Sequence, residues 1–309
     1  MINNLSVNRF RFLTVSLKGI SQVILIENAV TGAIILLAIM VSSFSLGVIA
    51  LLSAMIGTLV GRLGGADEKL VNQGLFGFNS ILTGMALYLF LTGPYHWILS
   101  LIGAFLAAIV TAALMHVMKN TGLPVLTFPF VGLTLFTLLI SYRLSAVHIS
   151  NALVPQSLWQ WKLDITGPFN LKEGIFTGIG QVFFLDYTIS GILLFVAVFW
   201  AGWRYGLYAL LGNAVALVTA LVLGAERSLI FVGLYGYNGI LTAIAVAVVF
   251  NTSKRQLSYV TGIFAACLTV PITASLHSWL LPFGLPPLTM HFVLSTWIVL
   301  SARKVLPRL

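Results

Sequence analysis

The chain has 309 residues, of which 7% are charged and 59% hydrophobic, and its mean hydropathy is +1.05. A soluble protein would carry about 25% charged residues, so the composition excludes a soluble globular domain and reads as a polytopic membrane protein. The net charge of +9 comes from basic residues scattered singly or in pairs between apolar stretches. That is the pattern of juxtamembrane charge that sets topology, and it argues against a nucleic-acid partner. The single cysteine, Cys267, excludes an intrachain disulfide, a zinc cluster and a redox pair.

In chain order, Arg9, Arg11 and Lys18 precede an apolar stretch with no small-residue cleavage site, so no signal peptide is expected. Spanning helices are predicted at 28–43, 44–62, 74–91, 96–118 and 124–141. A second set follows at 187–203, 205–223, 233–250, 257–280 and 286–302. Runs near 20 residues suit an apolar layer ~30 Å thick. Their apolar character is continuous and does not alternate, which argues for helices over strands. Shorter pieces at 16–27 and 175–186 precede each set and read as re-entrant helices. The region 142–174 is the most polar, with Pro155, Trp159, Trp161, Lys162, Asp164 and Pro168, and reads as an interfacial connection. The expected organisation is a first repeat over 1–150, a linker over 151–174 and a second repeat over 175–309.

Three collinear blocks recur. Gly74-Leu-Phe-Gly-Phe-Asn-Ser-Ile-Leu-Thr-Gly-Met-Ala86 returns as Gly233-Leu-Tyr-Gly-Tyr-Asn-Gly-Ile-Leu-Thr-Ala-Ile-Ala245, 159 residues on. Gly19-Ile-Ser-Gln22-Val-Ile-Leu-Ile-Glu27 matches Gly178-Ile-Gly-Gln181-Val-Phe-Phe-Leu-Asp186 at the same offset. Gly122-Leu-Pro-Val-Leu-Thr127 matches Gly284-Leu-Pro-Pro-Leu-Thr289 at 162. Five crossings per half is an odd number, so the second half would insert upside down. With both termini cytoplasmic, Arg9, Arg11, Lys18, Arg62, Lys69, Lys119, Arg204, Lys254, Arg255, Arg303, Lys304 and Arg308 fall inside; only Arg143, Lys162, Lys172 and Arg227 fall outside. This positive-inside bias supports the orientation. The expected fold is an all-α polytopic membrane protein. It has two inverted repeats of five transmembrane helices, each preceded by a short re-entrant helix, with a pore at the repeat interface.

The repeated residues carry the candidate chemistry. Gln22 and Gln181 need partners for their amides at membrane depth, in a helix-packing bond or in a water-filled path. Phe78 with Leu82, and Tyr237 with Leu241, lie at i, i+4 and share a helix face. Asn79 and Asn238 read as braces for irregular backbone. Thr127 and Thr289 either cap the helices that follow or line a pore. Glu27 and Asp186 read first as helix caps and alternatively as proton-coupling carboxylates. The five histidines show no ligand spacing; His291 stands where the first half has Pro129 and reads as a packed side chain or a pore neighbour.

At these residues the chain resembles the urea transporter family, over nearly its whole length, and its size suits the bacterial branch. The resemblance rests on two Gly-x-x-Gln-Val blocks, two Gly-Leu-[Phe/Tyr]-Gly-[Phe/Tyr]-Asn-x-x-Leu blocks and two Leu-Pro-x-Leu-Thr blocks. It implies a homotrimer in the cell inner membrane among lipids, one pore per subunit, and passive permeation of urea. No cofactor, metal or catalytic residue is implied. By position, Gln22 and Gln181 would be slot amides at opposite mouths. Phe78 with Leu82, and Tyr237 with Leu241, would be slot walls, and Thr127 and Thr289 would sit at the central constriction. Leu25 and Phe184 occupy the place of a further slot ring, from which Leu25 departs. Urea is flat and neutral, with four N–H donors and one carbonyl, so apolar walls and a line of acceptors suffice to pass it.

Other functions are weighed against the same residues. A channel for ammonia, small amides or water is an alternative, although His116 and His277 are not repeat mates. A proton-coupled carrier would use Glu27 and Asp186. No Gly-x-x-x-x-Gly-Lys-Ser/Thr motif powers pumping, and no Gly-x-Ser-x-Gly, His-Glu-x-x-His or aspartyl pair supports an enzyme.

Overall fold

Helix boundaries in the computed structural model follow glycine, serine and asparagine more closely than hydropathy. Residues 2–159, 161–166, 170–251 and 257–308 are described; Pro168, Lys254 and Arg255, which entered the readings above, lie outside them. The chain divides into two compact units, Met1–Ala152 and Leu153–Leu309.

The first unit runs α1 (Ile2–Gln22), α2 (Ala29–Ser42), α3 (Phe44–Leu63), α4 (Glu68–Asn72), α5 (Gly77–Phe90), β1 (Leu91–Thr92), α6 (His96–Met118), α7 (Phe128–Ile140) and β2 (His148–Ile149). Strands β1 and β2 pair antiparallel, with Leu91 opposite Ile149. Ser43 ends α2 and starts α3, its hydroxyl accepting from the Leu46 N–H at 3.3 Å. Helix α3 buries Gly47, Ala50, Ala54, Gly57 and Gly61 and packs on α5. A Cβ on Gly57 would lie 2.3 Å from the Phe76 carbonyl oxygen. Lipid gives helices no hydrophobic drive to associate, so close approach through small residues supplies the van der Waals contact instead.

The second unit runs α8 (Leu171–Gly180), a 3-10 turn (Gln181–Phe183), α9 (Thr188–Ala201), α10 (Trp203–Val222), α11 (Arg227–Phe231), α12 (Gly236–Ile244), α13 (Ser258–Leu280) and α14 (Met290–Val305). Helix α12 continues as a π turn over Ala245–Val249. Gly202, the repeat mate of Ser43, separates α9 from α10. A Cβ on Gly212 would lie 2.4 Å from the Gly239 carbonyl oxygen, matching the close approach at Gly57.

Crossing lengths differ from expectation. Among the described residues, four helices are long and apolar enough to span: Phe44–Leu63, His96–Thr121, Trp203–Val222 and Tyr259–Phe283. Glu173–Phe183 and Thr188–Ala201 make a fifth only as a pair bent by 75°. Ala29–Ser42, Gly77–Phe90, Phe128–Ile140 and Gly236–Val249 are shorter, and 14 residues rise only about 21 Å. Ala29–Ser42 matches the expected 28–43, whereas for the other three hydropathy counted the non-helical approaches at 74–76, 124–127 and 233–235 as helix. The piece at 16–27 is not a short helix; it is the end of α1, which begins at Ile2. The long helices expose large apolar side chains, among them Phe105 and Ile109 on α6 and Val260 and Phe264 on α13. Such exposure suits lipid and not water.

Candidate functional site

The candidate residues sit where helices break. Helix α1 ends in paired bonds: the Ile26 N–H to the Ser21 carbonyl at 3.2 Å and the Leu25 N–H to that of Gln22 at 2.9 Å. The second unit repeats this with Leu185 to Gly180 at 3.0 Å and Phe184 to Gln181 at 3.2 Å. In such an ending the residue after the cap turns left-handed and is usually glycine. Gly65, Gly74, Gly224, Gly233 and Gly284 fill that place at five other endings. Here it is filled by Leu25 (φ 61°) and Phe184 (φ 59°). A left-handed L-residue costs roughly 1–2 kcal/mol, and such strain tends to be kept where a particular side chain is needed. The only other left-handed non-glycines among the described residues, Leu126 (φ 52°) and Leu288 (φ 54°), are also repeat mates, and each directly precedes a candidate threonine.

The two glutamines present the same chemical end. Gln22 donates its Nε2 to the Gln73 carbonyl at 3.0 Å. Gln181 donates its Nε2 to Asp186 Oδ1 at 2.5 Å. Each partner is an acceptor, so the amide nitrogen must face it. The side-chain oxygen of each glutamine then has no hydrogen-bond partner among the described residues. Both residues are half-buried.

Helix α5 carries Phe78 and Leu82, both buried, and packs against α1 and α7. It thereby brings the three sequence blocks of the first unit together. Helix α12 carries buried Tyr237 and Leu241 and packs against α8 and α14. Close backbone contact makes this possible: a Cβ on Gly74 (φ 79°) would lie 2.5 Å from the Gly19 nitrogen, and one on Gly233 (φ 94°) 2.8 Å from Gly178.

Asn79 braces the irregular backbone, as its position suggested. Its Nδ2 donates to the Leu126 carbonyl at 3.2 Å and its Oδ1 accepts from the Phe130 N–H at 3.4 Å. In the second unit the Tyr237 hydroxyl donates to the Leu288 carbonyl instead. Asn238, fully buried beside that hydroxyl, makes no well-formed hydrogen bond. His291 is also fully buried, packs edge-on against the Tyr237 ring with centroids 5.6 Å apart, and has no hydrogen bond at either nitrogen.

Several cap assignments are corrected. Asn28, not Glu27, caps α2, accepting from the Val30 and Thr31 N–H groups. Glu27 pairs with Lys18 Nζ at 2.8 Å. Asp186 is exposed and holds Gln181, while Tyr187 stands at the cap position of α9 without a side-chain bond. Thr127 and Thr289 both occupy cap positions, yet neither side chain caps its helix; both are buried. Arg303, counted above among topology-setting charges, is buried and donates to the carbonyls of Val246 and Phe250 at 3.1 and 3.3 Å and to the Thr261 hydroxyl at 3.0 Å.

Comparison with known proteins decides the family. The family model described as urea transporter matches residues 13–304. The chain belongs to the urea transporter family. It is 27% identical over 301 residues to urea transporter 1 of Ovis aries and of Capra hircus, covering 94% of this chain and 77% of each relative. Urea transporter 1 of Mus musculus is 25% identical with the same coverage. The family comprises multi-pass membrane transporters and not enzymes, which sets the catalytic alternatives aside.

Four buried hydroxyls in this urea transporter family chain escaped the sequence reading. Thr83 and Thr242 are repeat mates, as are Thr134 and Thr296, and none has a hydrogen-bond partner. A buried hydroxyl left unmet costs ~1–3 kcal/mol. The signal was present: Ile-Leu-Thr lies within both aromatic-glycine copies, and Phe-Val-x-x-Thr recurs at Phe130–Thr134 and Phe292–Thr296.

Proposed function

We propose that the chain is a passive urea channel of the cell inner membrane, both termini cytoplasmic, acting as a homotrimer with one pore per subunit. The halves act as inverted repeats, and the pore runs where they meet. The observation that carries this reading is the matched pair of glutamines. In a chain of the urea transporter family, Gln22 and Gln181 each tie their amide nitrogen to an acceptor and leave the oxygen unclaimed. An unclaimed carbonyl oxygen is what a urea N–H must find when it leaves water, since each unmet polar group would cost ~1–3 kcal/mol.

Each glutamine accompanies an i, i+4 pair of flat and branched side chains, Phe78 with Leu82 and Tyr237 with Leu241. Apolar walls admit a planar neutral solute edge-on and reject a hydrated ion, which would lose its water without a replacement. Thr127 and Thr289 supply polar contacts at the constriction, and Leu25 and Phe184 complete the slots. Transport needs no cofactor because urea carries no charge. Glu27 and Asp186 hold Lys18 and Gln181, a positioning role that argues against either as a proton-coupling carboxylate.

Stopped-flow urea uptake into proteoliposomes, with and without an imposed pH gradient, tests the reading. Rapid equilibration independent of the gradient is expected. Flux equal to empty liposomes would reject urea permeation, and gradient-driven accumulation would replace the channel with a coupled carrier. Ammonia or formamide flux exceeding that of urea would reassign the permeant.

A further inference from the structure

The second unit contains a cavity of about 240 Å³ that none of the proposed slot residues lines. Its wall includes Trp161 from the connecting segment, Glu226 and Leu229 around the start of α11, Tyr235, and His277 on α13. Among the described residues, no Lys or Arg lines it.

Glu226 is the repeat mate of Asp67, and the two carboxylates do different things. Asp67 precedes α4 and caps it, accepting from the Lys69 N–H at 2.7 Å. Glu226 precedes α11, is one methylene longer, and makes no cap bond. Its Oε1 accepts from the Ser228 hydroxyl at 3.2 Å. Its Oε2 is buried with no partner. A carboxylate oxygen removed from water and left unpaired is costly, so the local structure is incomplete as it stands.

The polar neighbours of this carboxylate are not engaged by other described side chains or backbone either. Tyr235 and His277 line the same cavity as this carboxylate. Neither the Tyr235 hydroxyl, the His277 ring nor the Trp161 indole has a hydrogen-bond partner among the described residues. One anion, two neutral groups able to accept an N–H, and an aromatic face therefore surround one small volume. Charge selects a cation. The unmet acceptors select one with several N–H donors in a plane. An indole on the wall can stack on such a planar cation.

We propose that this cavity binds a small organic cation of the guanidinium or amidinium class. Glu226 Oε2 takes the charged N–H edge, Tyr235 and His277 accept from the remaining donors, and Trp161 covers the face. A metal ion is a poorer occupant, because no group of three or more His, Cys, Asp or Glu side chains converges among the described residues.

Calorimetric titration of the full chain in lipid nanodiscs with methylguanidinium, and separately with its neutral isostere methylurea, tests this without reference to urea flux. Saturable binding of methylguanidinium that depends on Glu226 is expected, whereas any methylurea binding, which the proposed urea slots would supply, should not depend on Glu226. Glu226→Gln, which keeps shape and removes charge, should weaken binding by about tenfold or more. Glu68→Gln, which removes an exposed carboxylate paired with Arg11, should leave it unchanged. Should Glu226→Gln fail to fold, Trp161→Leu at the half-open rim carries the comparison, with several-fold weakening expected. Equal affinity of wild type and Glu226→Gln for methylguanidinium, methylurea binding weakened as much as the cation's by Glu226→Gln, or no saturable binding of methylguanidinium would each overturn the proposal.

Discussion

The Tyr237 hydroxyl bonds the Leu288 carbonyl, and the matching carbonyl of the other half, Leu126, is held instead by the Asn79 amide. One hydroxyl added to a ring has changed which side chain secures a left-handed turn. Asn238, which stands where Asn79 does, is left buried without a bond of its own.

Tyr237→Phe should therefore be mild, because the Asn238 amide is placed to turn to the freed carbonyl as Asn79 does. Asn238→Ala should be mild as well, since it breaks no well-formed hydrogen bond. The double variant removes both donors and should lose more than the sum of the singles, by about 1–3 kcal/mol for an unmet buried carbonyl. Thermal melts of the four proteins in detergent decide it. Strictly additive losses would show that Asn238 is no reserve partner.

The tether on each glutamine predicts a difference between the halves. Gln181 is held by a side chain, Asp186, whereas Gln22 is held by backbone at Gln73. Asp186→Ala should release the Gln181 amide and lower urea flux several-fold. Glu27→Ala, at the matching position, breaks a partly exposed pair with Lys18 and should leave flux within about twofold, as surface pairs contribute little. Stopped-flow uptake measures both; equal losses would remove the tethering role of Asp186.

How much of this was legible depends on which physical signal each residue left. Hydropathy located α3, α6, α10 and α13, because their apolar runs coincide with continuous helix. It overran α5 and α7, because an extended or left-handed apolar residue scores like a helical one. The role of Asn79 was readable, since a buried amide among glycines has to meet backbone. Glu27 was misread because the cap is the next residue, Asn28, and the repeated acid drew attention from it. The helix ends at Leu25 and Phe184 were not readable as such, because left-handed turns are recognised in sequence through glycine. The Arg303 donors fill a need invisible in sequence, the free carbonyls of a π turn 50 to 60 residues earlier.

Arg303 gives a stability prediction. Its guanidinium serves Val246 and Phe250, at the end of α12, and Thr261 on α13, and so ties α12, α13 and α14 together. Arg303→Met keeps much of the volume and removes every donor. The loss should be about 3 kcal/mol, the cost of leaving buried acceptors unmet. Arg303→Lys should fall between wild type and Met, because an ammonium cannot reproduce the planar fork. Thermal melts check the order, and a Met variant as stable as wild type would mean that water replaces the guanidinium.

Leu25→Gly separates backbone from side chain at the first proposed slot. Glycine takes the left-handed conformation at φ 61° without the Cβ clash, which should return roughly 1–2 kcal/mol. Losing a half-buried leucine side chain should cost about the same. Thermal stability is therefore expected to change little, and a melt within a few degrees of wild type would show that the two effects offset. Function should not be spared: with the side chain gone the slot widens, and discrimination between urea and a bulkier amide such as dimethylurea should fall several-fold. Paired flux measurements of the two solutes read this directly. An unchanged ratio together with unchanged stability would mean that leucine at this turn lines no part of the path.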